Sequence, residues 1–269
     1  MNETNIANAV ARVEEAYKFS QSLGLGKLYV CFSGGKDSVA VYGVCKRAFG
    51  DKLLECCDFE YNITNVDPPR LVQFIKKEYP FVHFNMPEKT IWDLIVYNRN
   101  PPTRLMRYCC KELKERGGEG RFCVTGVRWA ESTRRRKERN EWEGFGTTKS
   151  DKVVFHLDNE DDRRTLEHCI PKRKYICNPI IDWEDEDVWS FIKADDIKYC
   201  SLYDEGWERL GCIACPMAKP RERRRALEEN PKIRAQYVRT FERMLEARRE
   251  RVTHQGRLEG WRGCSPVVA

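Results

Sequence analysis

The chain has 269 residues, of which 41% are hydrophobic and 33% are charged, and its formal net charge is +6. A chain of this size can bury a substantial core, so it is either one large α/β domain or a domain with an appendage. No apolar run approaches the length of a membrane span, and residues 1–8 lack both basic residues and an apolar core. We therefore expect no signal peptide, no membrane partner and a cytoplasmic location.

The first 127 residues alternate between helix-like and strand-like patterns. Helical spacing of apolar residues predicts helices at 6–23, 38–49, 70–79, 90–97 and 104–115, the last with Thr103 as its N-cap. Runs rich in strand formers predict strands at 28–32, 53–64, 81–85 and 122–127. This alternation predicts an α/β fold with a doubly wound, mostly parallel sheet.

The pattern changes at Thr133. A charge run and polar, aperiodic stretches follow, and they predict a mobile insertion over about 133–174. We expect order to resume near 175–180, before a helix with an acidic first turn that runs to Ile192. A last long helix over about 231–252 has an apolar face that should pack on the sheet, formed by Ala235, Val238, Phe241, Leu245 and Val252.

The C-terminal region is basic. Between Lys219 and Arg262 there are fourteen Lys or Arg residues and seven Asp or Glu residues. This excess favours an anionic partner such as a nucleic acid, and a solvated basic helix face explains it equally well.

A phosphate site is predicted between the first strand and the second helix. Two adjacent glycines permit a tight turn, and the residues after them suit a helix N-terminus, so backbone N–H groups and one lysine point toward a single anion. The Walker A pattern is absent, because it requires four residues between its first glycine and Gly-Lys-Ser/Thr. The predicted nucleotide-binding residues are Ser33, Gly34, Gly35, Lys36, Asp37 and Ser38.

Asp67 is a further candidate for nucleotide binding. It lies at the carboxyl end of the second predicted strand, immediately before Pro68 and Pro69. Ligands of parallel sheets bind at that edge, so Asp67 could face the nucleotide. A turn residue ahead of prolines explains it equally well.

Four of the thirteen cysteines fall into two groups, Cys109-Cys110 and Cys212-x-x-Cys215. Thiols of a cytoplasmic protein stay reduced, so metal ligation or redox chemistry explains such groups better than disulfides do. A CxxC group is typical of structural zinc, an iron–sulfur ligand pair or a dithiol. Adjacent helical cysteines diverge by about 100°, which suits a cluster with four iron corners better than one tetrahedral zinc ion.

Several motifs together resemble the phosphoadenosine phosphosulfate reductase family, in its iron–sulfur branch with the adenylyl-sulfate reductases. They are Ser33 to Ser38, Cys109-Cys110 with Lys114, Gly126-Val127-Arg128 with Glu131-Ser132, and Cys212/Cys215 followed by Pro216. The ATP pyrophosphatase of DNA phosphorothioation systems is similar to this chain in the same loop and cluster. The resemblance implies an adenine nucleotide α-hydrolase-like domain over 1–217 and leaves 218–269 as a basic helical extension.

The resemblance also implies roles for particular residues. The loop would hold the β,γ-phosphates of ATP, or bind adenylyl sulfate, with Mg²⁺ sharing the charge and with Lys36 and Arg128 as catalytic residues. Arg134 or Arg135 is a second candidate for contact with an anionic substrate group. Cys109, Cys110, Cys212 and Cys215 would ligate a [4Fe-4S] cluster, with Lys114 beside it.

Two departures from the family pattern decide the predicted function. The family's reductases use a cysteine in a Glu-Cys-Gly-Leu-His segment, whereas Cys264 is followed here by Ser-Pro, and Asp67-Pro68-Pro69 replaces an Asp-Thr-Gly. We therefore predict an ATP pyrophosphatase-type enzyme that activates an acceptor as an adenylate for sulfur transfer, as in DNA phosphorothioation or another nucleic-acid thiolation. Its partners would be an adenine nucleotide, a nucleic acid and a sulfur-donor protein.

Two alternatives stay open. One is an adenylyl-sulfate or phosphoadenylyl-sulfate reductase that produces sulfite, with Cys264 as its nucleophile. The other is a nucleotide- and cluster-binding subunit without catalytic activity.

Overall fold

The computed structural model describes residues 2–115, 117–145, 153–154 and 174–262. Its contacts divide the chain into two compact units. Unit 1 consists of Met1–Asn62, Pro68–Asn85 and Arg116–Leu210, and unit 2 consists of Ile63–Asp67, Met86–Glu115 and Gly211–Ala269. The functional boundary at residue 217 stays a prediction.

Unit 1 is built on one sheet. Within the described residues its strands are β1 (Leu28–Cys31), β2 (Cys57–Asn62), β3 (His83–Asn85), β4 (Phe122–Val124), β5 (Trp142–Phe145), β6 (Val153–Val154) and β7 (Lys174–Cys177), in the order β3-β2-β1-β4-β7-β5-β6. Strands β1 to β4 and β7 are parallel, and β5 and β6 are added antiparallel at one edge. The predicted α/β fold with a mostly parallel sheet is confirmed.

The strands are apolar because the sheet is covered by helices. Leu28, Val30, Phe122 and Val124 are completely buried, and Val30 of β1 lies between Phe59 of β2 and Val124 of β4. A parallel sheet that is buried on both faces selects such continuous apolar runs, which is why these strands could be recognised in the sequence.

The described α-helices are α1 (Glu3–Ser22), α2 (Lys36–Phe49), α3 (Leu53–Cys56), α4 (Pro69–Glu78), α5 (Ile91–Asn98), α6 (Tyr108–Leu113), α7 (Thr133–Glu138), α8 (Asp185–Ala194), α9 (Pro220–Glu229) and α10 (Pro231–Arg262). Helices α5, α6, α9 and α10 belong to unit 2, and the others belong to unit 1. In the part of the chain that the structure describes, no helix combines the length and apolarity needed to cross a bilayer.

The order of the strands creates a switch point between β1 and β4. The chain passes from β1 outward to β2 and β3 and then returns to place β4 on the other side of β1. Ligands of open α/β sheets bind in the crevice at such a point, outside the carboxyl ends of the strands. The segments that follow β1 and β4 are therefore the first place to look for a site.

Unit 2 has its own apolar core, in which α10 packs on α5. The core residues are Val66, Ile91, Leu94, Ile95, Leu113, Tyr237 and Met244. The ring of Tyr237 meets that of Trp92 edge to face, with the ring centroids 4.9 Å apart.

The predicted inner face of α10 is wrong. Val238 is 52% exposed and Leu245 is 46% exposed, whereas the neighbouring Tyr237 and Met244 are buried. The exposed pair and the buried pair both have helical spacing, and the two faces on which they lie are about 100° apart. Periodicity alone therefore could not predict which face is buried. The aromatic contact made by Tyr237 decides the orientation. The sheet was the predicted packing partner, and the observed partner is α5.

Two predicted segments have different boundaries. Residues 53–64 do not form one strand, because Leu53–Cys56 is a short helix and β2 begins at Cys57. Thr103 does not cap a helix; its N–H donates to the carbonyl of Met106 at 3.1 Å and closes a turn, and α6 begins only at Tyr108.

The predicted insertion over about 133–174 contains regular structure at both of its described parts. Thr133–Glu138 forms α7, with the Ser132 side chain accepting from the N–H of Arg135 at its start. Trp142–Phe145 pairs with β7 and so belongs to the sheet. The prediction of a mobile insertion is not tested by these elements and stays a prediction, and residues 146–152 and 155–173 lie outside the described residues.

Candidate functional site

The loop between β1 and α2 is shaped by glycine. Gly34 has a φ of +70°, and a Cβ placed on it would lie 2.7 Å from Cδ1 of Ile75 in α4. Gly35 is the N-cap of α2, and no side chain caps that helix end. The N-cap residue therefore offers no side chain to the N-terminal amides of α2, and a helix N-terminus of this kind is a place where anions bind.

Two serines hold the loop in this conformation. The hydroxyl of Ser33 donates to Oγ of Ser38 at 3.2 Å, and Ser38 donates in turn to the carbonyl of Gly35 at 2.8 Å. Ser38 is buried, whereas Ser33 is exposed and can contact a ligand. The predicted phosphate-loop residues thus lie together as one structural feature, and their role in nucleotide binding stays a prediction.

Two cations and two carboxylates alternate next to the loop. Nζ of Lys36 lies 3.2 Å from Oδ2 of Asp37 and 3.1 Å from Oδ1 of Asp185. Nε of Arg128 donates to Oδ1 of Asp37 at 2.7 Å, and another of its nitrogens donates to Asp185. Burial opposes ionisation of Asp185, but the bonds from Arg128 and Lys36 hold the pKa of its carboxyl below the ordinary value.

Arg128 is enclosed by this network. Its side chain is 1% exposed, and it also donates to the carbonyl of Trp183 at 3.0 Å. Gly126 permits the segment that carries Arg128 to pass close to Asp37, because a Cβ at Gly126 would lie 3.0 Å from the backbone of Asp37. In this structure Arg128 reaches the loop through Asp37 and Asp185, and direct contact with a substrate stays a prediction.

Sequence reasoning missed two residues of this site. The hydroxyl of Tyr203 accepts a hydrogen bond from the backbone N–H of Lys36 at 2.8 Å. Asp185 was interpreted only as one of several acidic residues that favour a helix N-terminus. Nothing near Tyr203 in the sequence marks it, since its partner is 167 residues away.

The four candidate ligand cysteines lie in unit 2. Cys109 and Cys110 occupy the first turn of α6, and Cys212 and Cys215 flank a tight turn in which the N–H of Cys215 donates to the carbonyl of Cys212 at 3.1 Å. All four are half-buried free thiols. Cys109 and Cys212 pack against the same apolar cluster, so the fold brings the two groups into one neighbourhood.

Positive charge surrounds these thiols. A nitrogen of Arg107 lies 3.6 Å from Sγ of Cys110. A hydrogen bond from Cys109, together with Arg107, lowers the pKa of Cys110 to about 5. Partial desolvation works against the charge of Lys114, but negative charge at Cys212 and Asp67 raises the pKa of its ammonium. Such cations are what a group of thiolates needs.

The four cysteines are the candidate ligands of a bound metal group. Among the described side chains, no three His, Cys, Asp or Glu residues are close enough together to hold one metal ion. A cluster spaces its four sulfurs more widely, because each thiolate binds a different iron. Four thiols from two segments, with cations beside them, are compatible with such a group.

Asp67 lies beside these cysteines in unit 2. Its two carboxylate oxygens accept from the N–H and the hydroxyl of Thr64 at 2.7 and 2.9 Å. The same hydroxyl lies 3.3 Å from Sγ of Cys212. The carboxylate therefore closes a local turn, and its predicted contact with the nucleotide stays a prediction.

The remaining candidates are basic residues and one cysteine. Arg134 pairs with Glu138 and Arg135 pairs with Glu131, both one turn away along the chain. In the C-terminal region Arg225 similarly donates to Glu229 at 2.7 Å. Part of the basic charge is thus neutralised locally, and Cys264 lies outside the described residues.

Comparisons with known proteins agree on one family. The model of the phosphoadenosine phosphosulfate reductase domain matches residues 27–218. An uncharacterized protein of Methanocaldococcus jannaschii is 28% identical over 222 residues, which cover 79% of this chain and 47% of that protein. The adenosine 5'-phosphosulfate reductase of Oceanobacillus iheyensis is 23% identical over 228 residues, or 80% of this chain and 79% of the reductase.

Among solved structures, the phosphoadenylyl-sulfate reductase from Candida auris in a phosphate complex is similar, with a TM-score of 0.47 and 12% identity. The alignment covers 74% of this chain and 87% of the reductase. The chain spans about half the length of two M. jannaschii relatives, 47% of each.

Proposed function

The chain belongs to the phosphoadenosine phosphosulfate reductase domain family, and from this premise we propose that it is an ATP pyrophosphatase-type enzyme. In this proposal it cleaves ATP between the α- and β-phosphates and activates an acceptor as an adenylate for sulfur transfer. The proposed acceptor is a nucleic acid, as in DNA phosphorothioation or another nucleic-acid thiolation, and a sulfur-donor protein is a further proposed partner.

One observation carries the proposal, namely the glycine-shaped loop at the start of α2, where the N-cap residue is Gly35. Gly34 is held in a left-handed conformation against Ile75, and Gly35 begins a helix of 14 residues. The loop follows β1 at the switch point of the sheet, where nucleotide phosphates bind in folds of this class. Its lack of the Walker A spacing favours a pyrophosphate leaving group over γ-phosphate transfer.

The chemistry follows from the charges near the loop. An acceptor oxygen attacks the α-phosphorus, the bond to the bridging oxygen breaks, and pyrophosphate leaves with the electron pair. The loop amides and the Lys36 ammonium stabilise the charge that develops on this group. Mg²⁺ is usually held by one or two carboxylates together with substrate phosphates, and Asp185, which is 69% exposed, offers such a carboxylate.

Arg128 has a positioning role in this proposal. It fixes Asp37 and Asp185 on either side of Lys36, so that the ammonium stays at the mouth of the loop. Tyr203 contributes by accepting from the N–H of Lys36, which fixes the first turn of α2.

We further propose that Cys109, Cys110, Cys212 and Cys215 hold a [4Fe-4S] cluster. When bound, the cluster would relay sulfur or order the site. Arg107 and Lys114 balance the negative charge of the thiolates, and Thr64 contacts the sulfur of Cys212 and links it to Asp67. Such outer contacts orient ligands and tune the bound group.

The test is the fate of ATP labelled at its α-phosphate, incubated with the anaerobically purified full chain and single- or double-stranded nucleic acid. AMP and pyrophosphate are expected, and Lys36→Gln should abolish their formation while Lys46→Gln, at the other end of α2, should not. Formation of ADP, or no turnover with any nucleic acid, would overturn the proposal. Thioredoxin-dependent release of sulfite from adenylyl sulfate would favour the reductase instead.

A further inference from the structure

The segment between α5 and α6 carries positive charge without any acidic residue. From Tyr97 to Lys111 the sequence contains Arg99, Arg104 and Arg107 in addition to that lysine, and no Asp or Glu. In α9 and α10, by contrast, glutamates stand among the arginines. Residues 98–108, which we name the arginine loop, therefore form a basic segment in which no acidic residue lies between the arginines.

The arginine loop is held in one conformation by its own hydrogen bonds. Two hydrogen bonds close its tip. The N–H of Thr103 donates to the carbonyl of Met106 at 3.1 Å, and the N–H of Met106 donates to the hydroxyl of Thr103 at 2.9 Å. The hydroxyl of Tyr108 donates to the carbonyl of Asn100 at 2.6 Å and closes the base. Arg248 of α10 donates to the side chain of Asn100 at 2.8 Å. The loop is thus preorganised, and its tip displays two residues, Arg104 and Leu105.

Apolar side chains are exposed on the same segment. Leu105 is 95% exposed, Tyr97 is 77% exposed and Met106 is 43% exposed. Single exposed apolar residues are ordinary, but here three of them lie within ten residues and alternate with arginines. Among the described residues, Leu54 is the one large exposed apolar side chain that lies outside unit 2.

We propose that the arginine loop binds single-stranded nucleic acid. Arginines contact phosphates, and an exposed ring and aliphatic side chains stack against unpaired bases, which a duplex would not offer. Charge complementarity favours a nucleic acid as the ligand, since every charged residue from Tyr97 to Lys111 is basic. The inference rests on the proposed nucleic-acid acceptor and deepens it by placing the strand on this loop, whereas the sequence pointed to the basic C-terminal region.

The loop also lies next to the cysteines. Nε of Arg104 donates to the carbonyl of Pro216, the neighbour of Cys215, at 3.2 Å. Arg107 contacts Sγ of Cys110. A strand held on this loop would therefore lie beside both cysteine segments, where sulfur transfer to it is proposed.

The test measures binding of a fluorescent single strand of about 20 nucleotides, long enough to span the usual site sizes, to the full chain without ATP. Leu105→Glu adds a repelling charge at a side chain that packs on nothing, so affinity should fall about tenfold or more. Leu54→Glu is the matched control, because that leucine is also exposed but lies in unit 1, and its affinity should stay within about twofold of the original.

Two further variants separate the contacts. Tyr97→Ala should weaken binding about five- to tenfold through lost stacking. Arg104→Gln should reduce the slope of log affinity against log salt by about 0.7, the value for one phosphate contact on a single strand. Single-stranded DNA, single-stranded RNA and duplex DNA are compared, and tighter binding of either single strand than of duplex is expected.

The outcomes are distinguishable from those of the ATP assay. Unchanged affinity in Leu105→Glu, or equal loss in Leu54→Glu, overturns the arginine loop as the site even if AMP and pyrophosphate form. Binding of polyglutamate as tight as that of the strands, with no loss in Tyr97→Ala, identifies an acidic protein as the occupant and overturns the inference. Loop-dependent binding without AMP formation supports the inference and refutes the proposed ATP chemistry.

Discussion

The phosphate loop of unit 1 and the cysteine group of unit 2 are built in different ways. The phosphate loop is contiguous, and backbone shape defines it, since Gly34 and Gly126 succeed by having no Cβ. The cysteine group combines residues from segments about a hundred positions apart, and its defining feature is charge. Arg107 and Lys114 favour the ionised form of the Cys110 thiol there, and Lys114 opposes the burial that raises the pKa of Cys212. At the phosphate loop, in contrast, the cations are already paired with Asp37 and Asp185.

This difference indicates what each site depends on. A backbone-defined anion site tolerates changes of distant side chains but not the addition of a methyl group at the wrong glycine. A thiolate site tolerates local backbone changes but not the loss of one ligand. Substitutions can therefore be chosen that damage one site and spare the other.

The largest expected effect is that of Cys212→Ser. Losing one of four thiolates should remove the cluster, so iron and acid-labile sulfide in anaerobically prepared protein should fall to background. ATP affinity should change little, because the phosphate loop lies in the other unit. Cys31→Ser, a half-buried free thiol in β1, is the control and should retain full iron content. Equal iron in both variants would refute the proposed ligand set.

Arg128→Gln is expected to have the next largest effect. Removing a buried guanidinium takes from Asp37 one of its cationic partners and leaves it Lys36. The free energy of unfolding should fall by about 3 kcal/mol, the low end for broken buried ion pairs because Asp185 is solvated. Urea denaturation measures the change. Arg134→Gln breaks an exposed pair and should cost about 0.5 kcal/mol or less. Similar costs for the two variants would mean that the enclosed network adds no stability.

Gly34→Ala tests the backbone definition of the phosphate loop. The left-handed conformation costs a residue with Cβ about 1–2 kcal/mol, and the contact with Ile75 adds to this, so AMP formation should fall at least tenfold. Gly24→Ala has nearly the same φ, +67°, with nothing within 4 Å of the added atom. Gly24→Ala should lower the thermal stability only by the cost of the left-handed conformation, and the variant should keep its activity. If both variants stay active, the shape of the loop is not what matters.

The smallest effect concerns pH. Arg128 and Lys36 lower the pKa of Asp185 in the folded state, so its contribution to stability is complete above the unfolded pKa of about 3.9 and is lost as pH falls through the folded pKa. The difference in unfolding free energy between the original chain and Asp185→Asn should be about 0.5 kcal/mol near pH 6, since the carboxyl is largely exposed. It should shrink below pH 4. A difference that grows on acidification would contradict this sign.

The sequence by itself determined the local features. Strands β1 to β4, most helix positions, the phosphate loop and the two cysteine groups could be recognised because contiguous residues set their own backbone geometry and periodicity. Strands β5 and β6 were not predicted, because they lie in the segment assigned to an insertion. Tertiary structure decided which face of α10 is buried, that Tyr203 supports Lys36, that Arg128 is enclosed by Asp37 and Asp185, and that Asp67 closes a turn beside Cys212. These features depend on packing between residues far apart in the chain. More than one buried face or side-chain partner is compatible with the same local sequence pattern, so only the contacts of the folded protein decide between them.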